Sequence, residues 1–71
     1  MKIEFDRQAD ALYIQFQPGK SKRSVKVQDG VIVDIAKDGR IFGLEILDAS
    51  RRIPLAQLAR VDLNLPAAKA S

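Results

Sequence analysis

The side chains that carry most protein chemistry are scarce in this chain. Its 71 residues include no histidine and no cysteine. That removes the ordinary base poised near neutral pH, the imidazole metal ligand and the thiolate. Ser21, Ser24, Ser50 and Ser71 therefore have no imidazole to activate them. What remains is carboxylate chemistry. Asp6 with Asp10, and Glu45 with Asp48, are the pairs that could share a proton or hold a divalent cation. Asp6 and Asp10 also flank a short turn, where aspartate bonds its own backbone. No set of acids converges in the pattern, so the expectation is no catalytic residue, no cofactor and no metal. Asp10, Tyr13, Asp34, Glu45 and Asp48 stand as surface candidates.

The other available chemistry is cationic. Twelve lysines and arginines against nine acids leave a net charge of +3, mild for a nucleic-acid binder. Lys20, Lys22, Arg23 and Lys26 form the main cluster, with Arg51-Arg52 as a second pair. Such a cluster can bind phosphates, or it can be solvated charge that keeps a sheet edge from aggregating. A single-strand platform needs exposed aromatics beside the cations. Of the four aromatics, Phe5, Phe16 and Phe42 fall on the apolar side of the pattern and only Tyr13 points outward. The four glycines fit no phosphate-loop spacing. Gly43, within a strand, reads as a bulge or the close approach of another chain, with contact to a ligand as the alternative.

These side chains hang on alternating segments. Ile3 and Phe5; Leu12, Ile14 and Phe16; Val25 and Val27; Val31, Val33 and Ile35; and Phe42, Leu44 and Ile46 recur with period two. That is the pattern of an antiparallel sheet with one buried face. A three-residue loop at Gln28-Asp29-Gly30 sets Val27 opposite Val31 and Val25 opposite Val33. A four-residue loop at Ala36-Lys37-Asp38-Gly39 sets Val33 opposite Phe42 and Val31 opposite Leu44. The turn at Arg7-Gln8-Ala9-Asp10 pairs Phe5 with Leu12 and Ile3 with Ile14. Past Pro18 and Gly19, Phe16 pairs with Val25 and Ile14 with Val27. In this register Tyr13 lies near Glu4 and Gln28. Asp34 faces Ser24 and Ile41, far from Glu45.

The fold class is α+β, mostly β: a five-stranded antiparallel meander, a short helix and a sixth strand. Asp48 or Ser50 caps the helix, and Pro54 fits its first turn. Leu55, Leu58 and Ala59 fall on one helical side. Val61, Leu63 and Leu65 alternate with Asp62 and Asn64 as the sixth strand, within the chain or on a partner. Residues 1–66 read as a single small domain and 67–71 as a frayed tail. So small a core, without disulfide or metal, calls for a second subunit. No apolar run reaches membrane-spanning length and no leader is evident, so the expectation is a cytoplasmic protein.

Three stretches carry a family resemblance. They are Asp6-Arg7-Gln8-Ala9-Asp10-Ala11-Leu12-Tyr13-Ile14, Gly30-Val31-Ile32-Val33-Asp34, and Gly39-Arg40-Ile41-Phe42-Gly43-Leu44-Glu45-Ile46-Leu47-Asp48-Ala49-Ser50. Together they resemble the small prokaryotic family called domain of unknown function 2283, from about Lys2 to Ser50. The resemblance implies a mostly β domain of this length and brings no activity, cofactor or catalytic residue. The functional expectation is a small non-enzymatic protein-binding module that is homodimeric. The alternatives are nucleic-acid contact through Lys20, Lys22, Arg23 and Lys26, and a carboxylate-based metal or ligand site.

Overall fold

In the computed structural model, residues 1–66 are described. Five antiparallel strands form one sheet: β1 (Lys2–Asp6), β2 (Ala11–Gln15), β3 (Ser21–Gln28), β4 (Val31–Ala36) and β5 (Ile41–Leu47). A one-turn helix α1 (Ala49–Arg52) and a 3-10 helix (Leu55–Ala59) follow. The first five expected strands and the short helix are present. The 67–71 tail lies outside the described residues.

The order of strands corrects the expected meander. It is β1-β2-β5-β4-β3, so β2 pairs with β5, and the pairs Phe16–Val25 and Ile14–Val27 do not form. Three hairpin-linked strands with a fourth laid beside the last make a Greek key. The connection from β2 to β3 crosses three inter-strand gaps, about 14 Å, within reach of an extended five-residue link. It is fastened to β5: Phe16 N–H donates to the Phe42 carbonyl at 2.8 Å and Gln17 Nε2 to the Ile41 carbonyl at 3.0 Å.

The register explains why alternation survived while some pairs moved. Phe5 pairs with Leu12 and Ile3 with Ile14, as the first turn required. Val25 pairs with Val33, but Gln28 pairs with Val31, so the turn is two residues and a bulge at Val27 restores the phase. Likewise Ala36 N–H donates to the Arg40 carbonyl at 2.8 Å, making the β4–β5 turn three residues. A bulge at Phe42 then pairs Val33 with Leu44 and Val31 with Ile46, in place of the expected Phe42 and Leu44 partners. Each turn is one residue shorter than the alternation suggested, and one extra strand residue corrects it.

The result sorts the sheet into two faces. Ile3, Ile14, Leu44, Val33 and Val25 form one apolar row, and Phe5, Leu12, Ile46 and Val31 the next. Very little covers these rows. Among the described residues Leu12, Phe42 and Ala49 are the buried hydrophobic ones, and Phe5, Val25 and Val27 are exposed. The chain is a slab of 41 × 29 × 20 Å. Its radius of gyration is 13.8 Å, against about 11 Å for a compact chain of this length.

The C-terminal segment departs from expectation. Residues 61–65, expected as a sixth strand, belong to no helix and no strand of the sheet. Pro54 precedes the 3-10 helix instead of sitting in the first turn of α1.

Candidate functional site

The polar face brings together side chains that the sequence kept apart. One row across it reads Lys2, Gln15, Gly43, Asp34 and Ser24; the next reads Glu4, Tyr13, Glu45, Ile32 and Lys26. Tyr13 therefore neighbours Glu45, not Gln28. Asp34 lies beside Gly43, not Ile41, and Glu45 is two residues along the same strand from Gly43, on the same face. The expected separation of Asp34 from Glu45 rested on the shorter register and is overturned by the Phe42 bulge.

Asp34 is the hub of this cluster. Tyr13 Oη donates to Asp34 Oδ2 at 2.7 Å, and Ser24 Oγ donates to Asp34 Oδ1 at 2.6 Å. To reach Asp34 on β4, the Tyr13 ring must cross over β5. Gly43 leaves the space: a Cβ there would land on the phenol oxygen and lie 2.5 Å from Cζ. The close approach anticipated at Gly43 is thus made by a side chain of the same sheet. Burial, the bond to Asp34 and the charges of Asp34 and Glu45 push the Tyr13 pKa up to about 12. The phenol therefore stays protonated at neutral pH and supplies a donor, not a nucleophile. The network runs from β2 across β5 to β4 and β3 and ties four strands together.

A second cluster fixes the opposite end of β5. Asp10 sits in the left-handed region at φ 51°. Its carbonyl accepts from Ala49 N–H at 2.9 Å. Its carboxylate accepts from Ser50 N–H at 3.0 Å and from Ser50 Oγ at 2.7 Å. Asp10 thus satisfies the free donors at the start of α1 from forty positions away in sequence. This corrects the expected caps. Asp48, at φ 54°, occupies the N-cap position but makes no side-chain capping bond, and Ser50 is capped instead of capping. Asp6, by contrast, bonds locally: its Oδ1 accepts from Gln8 N–H at 3.0 Å and Ala9 N–H at 3.1 Å.

Arg52 closes the same end. Its Nη2 donates to the Asp29 carbonyl at 2.8 Å, and its guanidinium lies against Gly30, whose added Cβ would be 2.6 Å from Nη2. The pair Arg51-Arg52 read as solvated charge; Arg52 is a strut between α1 and the β3–β4 turn. No local sequence signal marks it, because its partner is a backbone carbonyl.

The basic cluster lies along one edge. β3 is a terminal strand of the sheet and exposed at every residue. Lys22, Arg23 and Lys26 are on it and Lys20 directly precedes it. Lys26 faces Asp29 at 3.6 Å across solvent. Among the described residues, no three acids come close enough to hold a metal ion, and no helix is long and apolar enough to cross a membrane.

Residues 2–50 match the family model "Protein of unknown function (DUF2283)". The chain is 38% identical over 56 residues to a Methanosarcina mazei protein named "Putative hypoxanthine phosphoribosyltransferase", covering 79% of this chain and 45% of that one. It is 33% identical over 51 residues to an uncharacterized protein of Methanocaldococcus jannaschii, covering 72% of this chain and 43% of that one. The chain therefore spans less than half the length of these curated relatives. No solved structure matches it significantly.

Proposed function

The chain belongs to the DUF2283 family of proteins of unknown function, and from that premise we propose that it is a non-enzymatic protein-binding module that works as a homodimer, its apolar sheet face covered by a second copy. The observation that carries this reading is the sheet face itself. Nine aliphatic and aromatic side chains lie in two rows across five strands, and only Leu12 among those nine is buried. The accessible surface is 5894 Å², against about 4400 Å² for a folded monomer of this mass. Residues 60–66 are exposed throughout, and so is every residue of β3. A standard interface takes about 800 Å² from each partner, and the apolar rows of a five-stranded sheet offer an area of that order. Two such faces stacked about 10 Å apart make a sandwich, and a two-fold axis lets one surface serve both copies.

Catalysis has less support. Tyr13, Asp34 and Ser24 satisfy one another, and Asp10 is occupied by Ala49 and Ser50. The activity in the Methanosarcina relative's name is not extended to this chain, which spans under half of that protein. Nucleic-acid contact is weaker as well, because Tyr13 on the polar face is committed to Asp34 and the exposed aromatics Phe5 and Phe16 lie outside the basic strand β3.

Sedimentation velocity and thermal melts over a hundredfold range of concentration test the reading. A homodimer gives twice the 7.9 kDa chain mass and a midpoint that rises with concentration. A monomeric mass with a concentration-independent midpoint overturns it.

A further inference from the structure

Arg60 leaves the 3-10 helix in extended conformation, at φ −137° and ψ 123°, and residues 61–66 after it belong to no helix or strand. Val61, Leu63 and Leu65 are 56%, 73% and 75% exposed, while Asp62 and Asn64 alternate with them. This is the period of a strand with one apolar face, yet the segment has no ladder within its own chain. A segment so apolar on one side is costly to leave in water. The sheet offers two open edges of different character. β1 presents Lys2, Glu4 and Asp6; β3 presents Lys22, Arg23 and Lys26 over eight exposed residues. On the apolar side of β3, Val25 and Val27 are themselves 37% and 60% exposed.

We propose that residues 61–65 of one copy add as a strand to the β3 edge of a second copy, with Val61, Leu63 and Leu65 extending the apolar face past Val25 and Val27. Main-chain pairing supplies the affinity in such strand addition, and side chains supply the selection. Charge selects the edge: Asp62, which pairs with Arg60 at 3.2 Å within its own chain, meets three cations and no acid on β3 but two acids and one lysine on β1. Edge lysines repel strands of like charge, so the same cations that guard β3 admit a strand carrying Asp62. Exchange in both directions closes the dimer and leaves no open-ended array. The inference rests on the homodimer reading and names the element that locks it.

The absence of native cysteine makes site-specific cross-linking clean. Chains with Val27→Cys and chains with Leu63→Cys are mixed, allowed to exchange, and treated with a short bismaleimide. The expected result is a cross-link at dimer mass joining one chain of each kind. A Glu4→Cys chain on the β1 edge, mixed with the Leu63→Cys chain, should give several-fold less product. Adding Asp62→Lys to the Leu63→Cys chain should lower the Val27 yield several-fold. A double variant carrying both Val27→Cys and Leu63→Cys that closes on itself at monomer mass overturns the proposal in favour of the chain's own edge. Preferential reaction with β1, or no cross-link in a chain that sediments as a dimer, overturns it while leaving the homodimer standing. A chain that sediments as a monomer overturns both.

Discussion

Gly43→Ala is the substitution that tests the polar-face network most directly. On backbone grounds alone alanine should help, since glycine within a strand costs about 0.5–1 kcal/mol relative to alanine. The structure predicts the opposite sign. The new Cβ would occupy the position of Tyr13 Oη and lie 3.0 Å from the Ile14 carbonyl oxygen. The phenol is the movable partner and must swing away. Moving it breaks the 2.7 Å bond to Asp34, and a hydrogen bond to a charged acceptor contributes about 1.5–3 kcal/mol. The tight approach to the Ile14 carbonyl adds to the loss. The net expectation is a destabilisation of about 1–2 kcal/mol, or roughly 4–16 °C in midpoint for a domain of this size. Urea melts at one fixed protein concentration measure it, because any dimer links stability to concentration. In a Tyr13→Ala background the cost of the same Gly43→Ala change should fall to nearly nothing, giving a coupling of about 1–2 kcal/mol in a double-mutant cycle. Tyr13 is the sole tyrosine, so phenolate absorbance reports its ionisation without interference, and Gly43→Ala should bring its pKa from about 12 back toward about 10. A Gly43→Ala protein as stable as the parent, with an unmoved tyrosine titration, would refute the reasoning.

The Tyr13 pKa also fixes a pH dependence. The folded value of about 12 exceeds the unfolded value of about 10, so the folded state holds the proton more tightly; the associated stability is complete below about pH 10 and is lost as pH rises toward about 12. Asp34→Asn should lower the titration midpoint and flatten that alkaline loss, read from phenolate absorbance and urea melts at matched pH. Asp10→Ala removes the cap on α1 and places a side chain without polar groups at positive φ, costing about 2–3 kcal/mol, whereas Asp10→Gly keeps the backbone region and should cost about 1 kcal/mol less; amide exchange at Ser50 should quicken in both. Gly30→Ala meets both its φ of +79° and the Arg52 guanidinium, whereas Gly39→Ala meets only its φ of +91°, so urea melts should show Gly30→Ala as the more damaging of the two.

How much of this was legible in the chain follows the range of each interaction. The Arg7-Gln8-Ala9-Asp10 turn fixed β1 against β2, and both pairs read from it, Ile3–Ile14 and Phe5–Leu12, stand. Local turn chemistry and the alternation sit within a dozen residues there, so they speak to the same contact. At the next two turns the alternation set the correct faces while the loop lengths were misjudged, because a bulge changes the residue count without changing the phase. The bulged residues Val27 and Phe42 carry ordinary strand side chains, so nothing in their types announces them. Asp10 was visible as a turn residue, but its bonds to Ser50 require β5 to end beside the first turn. That contact is set by sheet order, which no single segment encodes.

Sheet order is also where the meander failed, and the composition of the strands supplies the physical reason. A meander would have placed β3 in the middle of the sheet and β5 at its rim. β3 is Ser-Lys-Arg-Ser-Val-Lys-Val-Gln, with three cations in eight positions. A central strand is flanked on both sides, which confines its long charged side chains and costs their hydration. β5 is Ile-Phe-Gly-Leu-Glu-Ile-Leu, with one charge in seven, and gains most from neighbours on both sides. Exchanging their places puts the apolar strand between β2 and β4 and leaves the charged one at the edge, where lysine suits a strand end-on to water. The link of Gln17, Pro18, Gly19 and Lys20, which looked like a loose hairpin, is the crossing this exchange demands. The same choice brings Gly43 beneath Tyr13 and carries the phenol to Asp34, so this cluster follows from placing β5, rather than the charged β3, inside the sheet.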